Sequence, residues 1–267
     1  MPSNLPISCY IRTLNEARMV GPVIEAARQI ASEVLVVDCG STDGTIEIAQ
    51  KAGARVIHQA WLGNGKQKRF AEDQCTHDWL LDLDADEIVT PDFAREIQEL
   101  FSNGEPPFAI YETLLVTAPP IGEPWWNHAL ADRRKLYDRR RIRQPEHDAW
   151  DQFDVPAGMA IGRVKAMLLH YSFRDFEHFE GKLNHWSGVA ARATKLKPFW
   201  VVALRVVLAT PFYFLKQYLG RGHWRGGLYG FVIAGLSAHG RWLRDVKMFE
   251  IHLRNRQARR SDGPRTS

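Results

Sequence analysis

Trp79-Leu80-Leu81-Asp82-Leu83-Asp84-Ala85-Asp86-Glu87 is the stretch on which the reading of this chain turns. Its apolar first half, Trp79 to Leu83, has the length and aliphatic content of a buried strand. At its carboxyl end Asp84, Asp86 and Glu87 crowd into four positions. Carboxylates that close raise one another's energy unless positive charge sits among them. Hard divalent cations such as Mg²⁺ or Mn²⁺ prefer carboxylate oxygens and complete their shells with substrate phosphates. In open α/β sheets, ligands lie beyond the carboxyl ends of the strands. The competing reading is a solvated acidic turn into a helix, with Thr90-Pro91 as cap and first turn.

The flanking sequence supplies the sheet. Ile7 to Thr13 reads as a first buried strand, with a helix from about Pro22 to Ala31. Val34 to Val37 is a continuous aliphatic run, as expected of a strand covered on both faces. It ends in the glycine-punctuated turn Asp38-Cys39-Gly40-Ser41-Thr42-Asp43-Gly44-Thr45. A second helix then runs to about Ala52, and a third strand covers Arg55 to Gln59. Strands alternating with helices at this spacing imply βαβ units and a mostly parallel sheet. The glycines match neither a phosphate-binding P-loop nor a dinucleotide fingerprint. A carboxylate placed like Asp38 can still accept hydrogen bonds from a base or ribose, while Asp43 serves the turn.

Three motifs in this order resemble glycosyltransferase family 2: Thr13-x-Asn15-Glu16, Val36-Val37-Asp38-x-Gly40-Ser41-Thr42-Asp43-Gly44-Thr45 and Leu83-Asp84-Ala85-Asp86-Glu87. The resemblance covers roughly residues 1–115. Within that family, Trp61-Leu62-Gly63-Asn64-Gly65-Lys66-Gln67-Lys68, His170-Tyr171-Ser172 and Lys182-Leu183-Asn184 resemble the lipopolysaccharide-core β-glucosyltransferase branch. The resemblance implies a GT-A fold: a Rossmann-like α/β sheet flanked by helices, and transfer with inversion. It implies that Asp38 contacts the base of a nucleotide-sugar and that Thr13 and Glu16 line its pocket. Asp84 would lie near the ribose and metal, and Asp86 would be the principal ligand of Mg²⁺ or Mn²⁺. Lys66 and Lys68 stand where the family places a basic residue near the nucleotide, able to offset diphosphate charge.

Inverting transfer needs a carboxylate to take the acceptor hydroxyl's proton. Relatives carry a His-Glu pair after a valine in this region, whereas this chain reads Asp154-Val155-Pro156-Ala157-Gly158. The base is therefore reassigned to Asp151 first and Asp154 second, with Asp148 behind.

The remaining chain frames the acceptor. Phe108 to Val116 reads as a strand, Pro119 to Pro124 as a loop, and Trp125-Trp126 as a pair suited to stacking on sugars or packing the loop. Leu136 to Arg140 resembles a family strand on the acceptor side, and Phe176 to Leu196 is helix-like. His178 and His185 do not make a recognised zinc pattern. Phe199 to Leu215 and Leu228 to Ala238 are apolar runs, each short of the roughly 20 residues of a membrane span. With Arg205, Lys216, Arg221 and Arg225 among Trp200, Tyr213, Tyr218 and Trp224, they suit helices lying in a membrane interface.

Composition agrees: the sequence is 45% hydrophobic and 25% charged, with a formal net charge of +4, so a globular protein is expected. Three scattered cysteines argue against a disulfide framework or zinc site. That cysteine usage fits a reducing, cytoplasmic setting, and the amino terminus does not read as a secretory signal.

The expected organisation is a catalytic domain over 1–175 (nucleotide-sugar half 1–115, acceptor half 116–175), an amphipathic membrane-associated extension over 176–253 and a disordered basic tail over 254–267. The expected enzyme sits peripherally on the inner face of the cytoplasmic membrane. It moves a sugar, in particular a hexose from UDP, to a lipopolysaccharide-core or lipid-linked glycan acceptor. A sugar-phosphate nucleotidyltransferase would need a glycine- and Lys/Arg-rich phosphate loop near the amino terminus, which is absent. Nucleic acid is not the expected partner; a basic membrane- or nucleic-acid-binding module would leave the acid cluster merely structural.

Overall fold

The computed structural model describes residues 5–261, which divide into two units. The first comprises residues up to Trp126 and Leu130–Ser172. Its elements are β1 (Leu5–Thr13), α1 (Val20–Ala27), β2 (Ala31–Asp38), α2 (Thr45–Lys51), β3 (Arg55–His58), α3 (Asn64–Gln74) and β4 (Trp79–Asp84). They continue with β5 (Glu87–Val89), α4 (Pro91–Leu100), β6 (Ile110–Thr117), β7 (Ala131–Asp138), β8 (Gly162–Arg163) and β9 (Leu168–His170). The sheet runs β3-β2-β1-β4-β7-β6-β9-β5, with β8 beside β6. The β3-β2-β1-β4 half is parallel. Antiparallel β7 closes against β4 and turns the rest into a mixed sheet.

Period-two alternation sorts the aliphatic runs into two cores. Ile7, Cys9 and Ile11 face one layer with Val34, Val36, Leu81 and Leu83, against α1 and α4 residues such as Ile24, Phe93 and Ile97. Tyr10, Leu35, Val37 and Leu80 face the other, with Ala71 of α3 and Tyr137 of β7. Covering on both sides is why these strands read as unbroken hydrophobic stretches. The expected cap is present: the Thr90 hydroxyl accepts from the Phe93 amide at 3.2 Å, and Pro91 opens α4. The first helix begins earlier than expected and ends at Ala27, because Ala31 already enters β2.

The second unit comprises Asn127–Ala129 and the chain from Phe173. It contains α5 (Phe176–Ala193), α6 (Phe199–Leu215), a π-helical turn (Lys216–Gly220), a 3₁₀ turn (His223–Gly226) and α7 (Gly227–Ser261). Asp175 caps α5 through the His178 amide at 2.7 Å. The expected short second run is part of a 35-residue helix. The tail expected to be disordered from Arg254 is helical as far as Ser261; residues 262–267 lie outside those described. The π turn also extends α6 into a 22-residue, largely apolar helix, Phe199–Gly220. This corrects the expected shortfall: by length and composition alone it suffices to cross a membrane.

Candidate active site

Strand register assembles the site. Thr13 pairs with Asp38 across β1 and β2, and Arg12 pairs with Asp84 across β1 and β4. The ends of three adjacent parallel strands thus present Thr13, Asp38 and Asp84 at one carboxyl edge, the general location for ligands in such sheets.

Asp38 is fully buried, and four donors converge on its carboxylate. The Gly40 and Ser41 amides lie at 2.8 Å, the Thr13 hydroxyl at 3.0 Å and the Ser41 hydroxyl at 2.5 Å. Burial pushes its pKa upward, but these donors outweigh burial and hold it below the usual carboxylate range. Gly40 makes the turn possible at φ +105°. The two motif loops are also tied together. The Asn15 amide carbonyl accepts from the Thr42 amide at 2.9 Å, and the Glu16 amide donates to the Thr45 hydroxyl at 2.8 Å. Asp43 serves the turn, accepting from the amides of Ala17 and Thr45.

At the end of β4 a network of opposite charges takes over. Arg12 donates to Asp84 and to Asp151, each at 3.0 Å, and its guanidinium lies over the Trp61 ring. Lys68 lies 2.7 Å from Asp82, 3.2 Å from Asp151 and 3.9 Å from Asp84. Burial opposes ionisation of Asp84 and Asp151, but Lys68 and Arg12 overcome it and hold both pKa values down. Beneath them Lys135 donates to buried Glu87 at 2.5 Å, and Glu87 accepts the Asp84 amide at 3.0 Å. Burial dominates at Glu87 and raises its pKa.

Asp86 and His170 meet because β5 and β9 are antiparallel, pairing Glu87 with His170. His170 Nε2 is 3.5 Å from the Asp86 carboxylate. Burial lowers the histidine's pKa, but Asp86 and its neighbouring carboxylates raise it above the ordinary value. Asp84, Asp86 and His170 offer oxygen donors and one nitrogen. Among the described residues no three His, Cys, Asp or Glu side chains form a ready-made metal cage. The Asp84 and Asp86 carboxylates are the ligand type that Mg²⁺ and Mn²⁺ take, one or two of them holding the ion while substrate phosphates fill its shell.

The remaining expected residues separate. Lys68 is enclosed by carboxylates, whereas exposed Lys66 pairs with Asp148 at 2.7 Å. Asp151 joins the Arg12–Lys68 cluster; Asp154, exposed in the same loop, shares none of its ion pairs. The loop is held by the start of α3: the Asn64 amide donates to the Asp148 carbonyl at 2.7 Å and the Gly65 amide to the His147 carbonyl at 2.9 Å. A Cβ at Gly65 would stand 2.4 Å from the Pro145 carbonyl oxygen and 2.5 Å from that of Trp150. The Gly63-Asn64-Gly65 motif therefore positions Asp151. Sequence reasoning missed Arg12, although a cation inside an apolar strand is itself a signal for a buried partner; it also missed Lys135, which the charged run Asp132-Arg133-Arg134-Lys135 hides.

The family described as Glycosyl transferase family 2 matches residues 8–168, three-fifths of the chain and all the strands of the first unit but the start of β1 and the end of β9. The chain belongs to glycosyl transferase family 2. This glycosyltransferase carries the mixed, helix-flanked sheet of the GT-A fold. It is 32% identical over 97% of its length to a glycosyltransferase of Rickettsia bellii (strain RML369-C), covering 92% of that protein. It is 30% identical over 94% of its length to the lipopolysaccharide core biosynthesis glycosyltransferase LpsC of Rhizobium meliloti (strain 1021), covering 95% of that protein. Among solved structures, S. aureus TarS 1–349 aligns with 94% of this glycosyltransferase and 91% of that chain, at 16% identity and a TM-score of 0.45.

Proposed function

We propose that this glycosyltransferase moves a hexose from UDP to a lipopolysaccharide-core or lipid-linked glycan, inverting the anomeric carbon. The observation that carries the reading is the strand register that puts Thr13, Asp38 and Asp84 at one edge, with Asp151 tied to Asp84 through Arg12. The acceptor class is inferred from LpsC, which matches nearly end to end.

In this proposal Thr13, Glu16 and Asp38 receive the nucleoside, with Asp38 meeting the base once the Thr13 or Ser41 hydroxyl turns away. Asp84 and Asp86 would hold Mg²⁺ or Mn²⁺, assisted by His170; the ion supplies charge neutralisation to the departing diphosphate. Lys66 reaches toward the diphosphate on leaving Asp148, while Lys68 acts through the carboxylates it holds. Asp151 takes the proton of the acceptor hydroxyl. Arg12 and Lys68 keep it ionised, the form a base requires, and Asp154 is the second candidate. An acceptor of this class is membrane-borne, which supports the reading of a peripheral enzyme on the inner face of the cytoplasmic membrane.

The test is release of nucleoside diphosphate from a panel of nucleotide-sugars with Mg²⁺ or Mn²⁺, comparing wild type with Asp86→Ala. Loss of metal-dependent release in the variant is expected. Equal turnover in both would remove the metal role.

A further inference from the structure

The helical unit carries an apolar face that its own helices leave uncovered. Trp200, Leu204, Val207, Leu208, Phe212 and Leu215 are all exposed, Val207 at 75%. Their spacing of three and four residues puts them on one side of α6. Leu228 and Phe231, also exposed, extend the apolar surface at the start of α7, where Phe231 meets Phe214. The opposite side of α6 is committed to α7. Phe199 stacks on Phe249, Trp242 donates to the Val206 carbonyl at 2.9 Å, and Arg205 pairs with buried Asp245 at 3.2 Å.

Charge is arranged around this face. Exposed Lys195 and Lys197 precede α6, and exposed Lys216 and Arg225 follow it, with Arg225 over the Trp224 ring. Cations and tryptophans at both ends of an apolar helical face suit anionic headgroups, with the apolar side chains sunk below them.

Length alone would also allow α6 to span a bilayer. Its packing argues otherwise. The contacts from Phe199–Phe249 to Phe214–Phe231 show α7 running antiparallel along α6. A spanning α6 would drag Arg241, Arg244, Asp245 and Lys247 of α7 into hydrocarbon, where charged groups are costly. Pro211, on the exposed face, has no amide to give the Val207 carbonyl, and an interface can hydrate that carbonyl where hydrocarbon cannot.

We propose that α6 is an in-plane anchor for an anionic lipid surface, its Trp200–Leu215 face submerged and its cationic ends at headgroup level. The proposal rests on the reading of a membrane-borne acceptor for its purpose, and on the helical unit alone for its evidence.

The test uses the full chain and flotation with phosphatidylcholine vesicles, with or without roughly 30 mol% phosphatidylglycerol, a level at which surface potential attracts basic segments. Wild type should float with the anionic vesicles. The double variant Val207→Glu, Leu208→Glu should lose roughly tenfold or more of its binding, while nucleotide-sugar hydrolysis and melting temperature stay at wild-type values. Lys195→Glu, Lys197→Glu, Lys216→Glu should weaken only the anionic binding. Spin labels at Trp200→Cys, Val207→Cys and Leu215→Cys, in a Cys39→Ser background, should report one shallow depth.

A deep Val207 label between shallower ones would mean a span and overturn the proposal. Failure to float, with a dimer that the glutamate variant dissociates, would assign the face to a second copy and also overturn it. Soluble-donor hydrolysis is read without vesicles, so either failure leaves the catalytic reading separately tested.

Discussion

Replacing Lys68 by methionine should destabilise the catalytic unit far more than it affects contact with donor. Lys68 and Asp82 are only 4% and 3% exposed. At their 2.7 Å separation and an effective dielectric of about 20, Coulomb attraction is about 6 kcal/mol. Desolvation offsets much of it, and breaking such a buried pair costs about 3–5 kcal/mol because a charge is left stranded. For a domain of this size each kcal/mol shifts the melting temperature by about 2–4 °C, so Lys68→Met should fall by about 6–20 °C in calorimetry. Adding Asp82→Asn removes the stranded charge and should restore more than half of the loss, a coupling of about 2 kcal/mol or more. The reasoning fails if Lys68→Met melts within about 3 °C of wild type while nucleotide-sugar affinity by titration calorimetry falls about tenfold. That pattern would mean the ammonium meets the diphosphate rather than Asp82.

Gly65→Ala must push back the carbonyls of Pro145 and Trp150; a stability loss of about 1–3 kcal/mol is expected, together with a fall in kcat as Asp151 shifts, read by initial rates and melting temperature. Asp38 has a depressed folded pKa, so its stabilisation is complete above about pH 4 and is lost as pH falls through the folded value. Asp38→Asn should therefore flatten the acid side of the melting-temperature profile below about pH 4. Thr90→Ala removes both the cap to Phe93 and the 2.8 Å hydrogen bond to the Met167 carbonyl; a loss of about 1–2 kcal/mol in urea denaturation is expected, with little effect on donor affinity.

Local chemistry made much of this protein legible. The doubly buried strands, the Thr90-Pro91 cap and the acid-rich end of β4 announce themselves because aliphatic runs, caps and crowded carboxylates each have a short-range physical cause. The order of motifs was enough to mark the family. What the sequence could not express was which charges meet. Arg12, Lys68 and Asp151 lie far apart along the chain, and only the parallel register of β1 with β4, and the grip of α3 on the loop before Asp151, brings them together. His170 reaches Asp86 for the same reason, through the pairing of β9 with β5. The apolar side chains of α6 were visible as a run, but their division into a packed face and an uncovered one depends on where α7 lies. A residue's hydrophobicity is written in its side chain; its neighbour is chosen by tertiary packing.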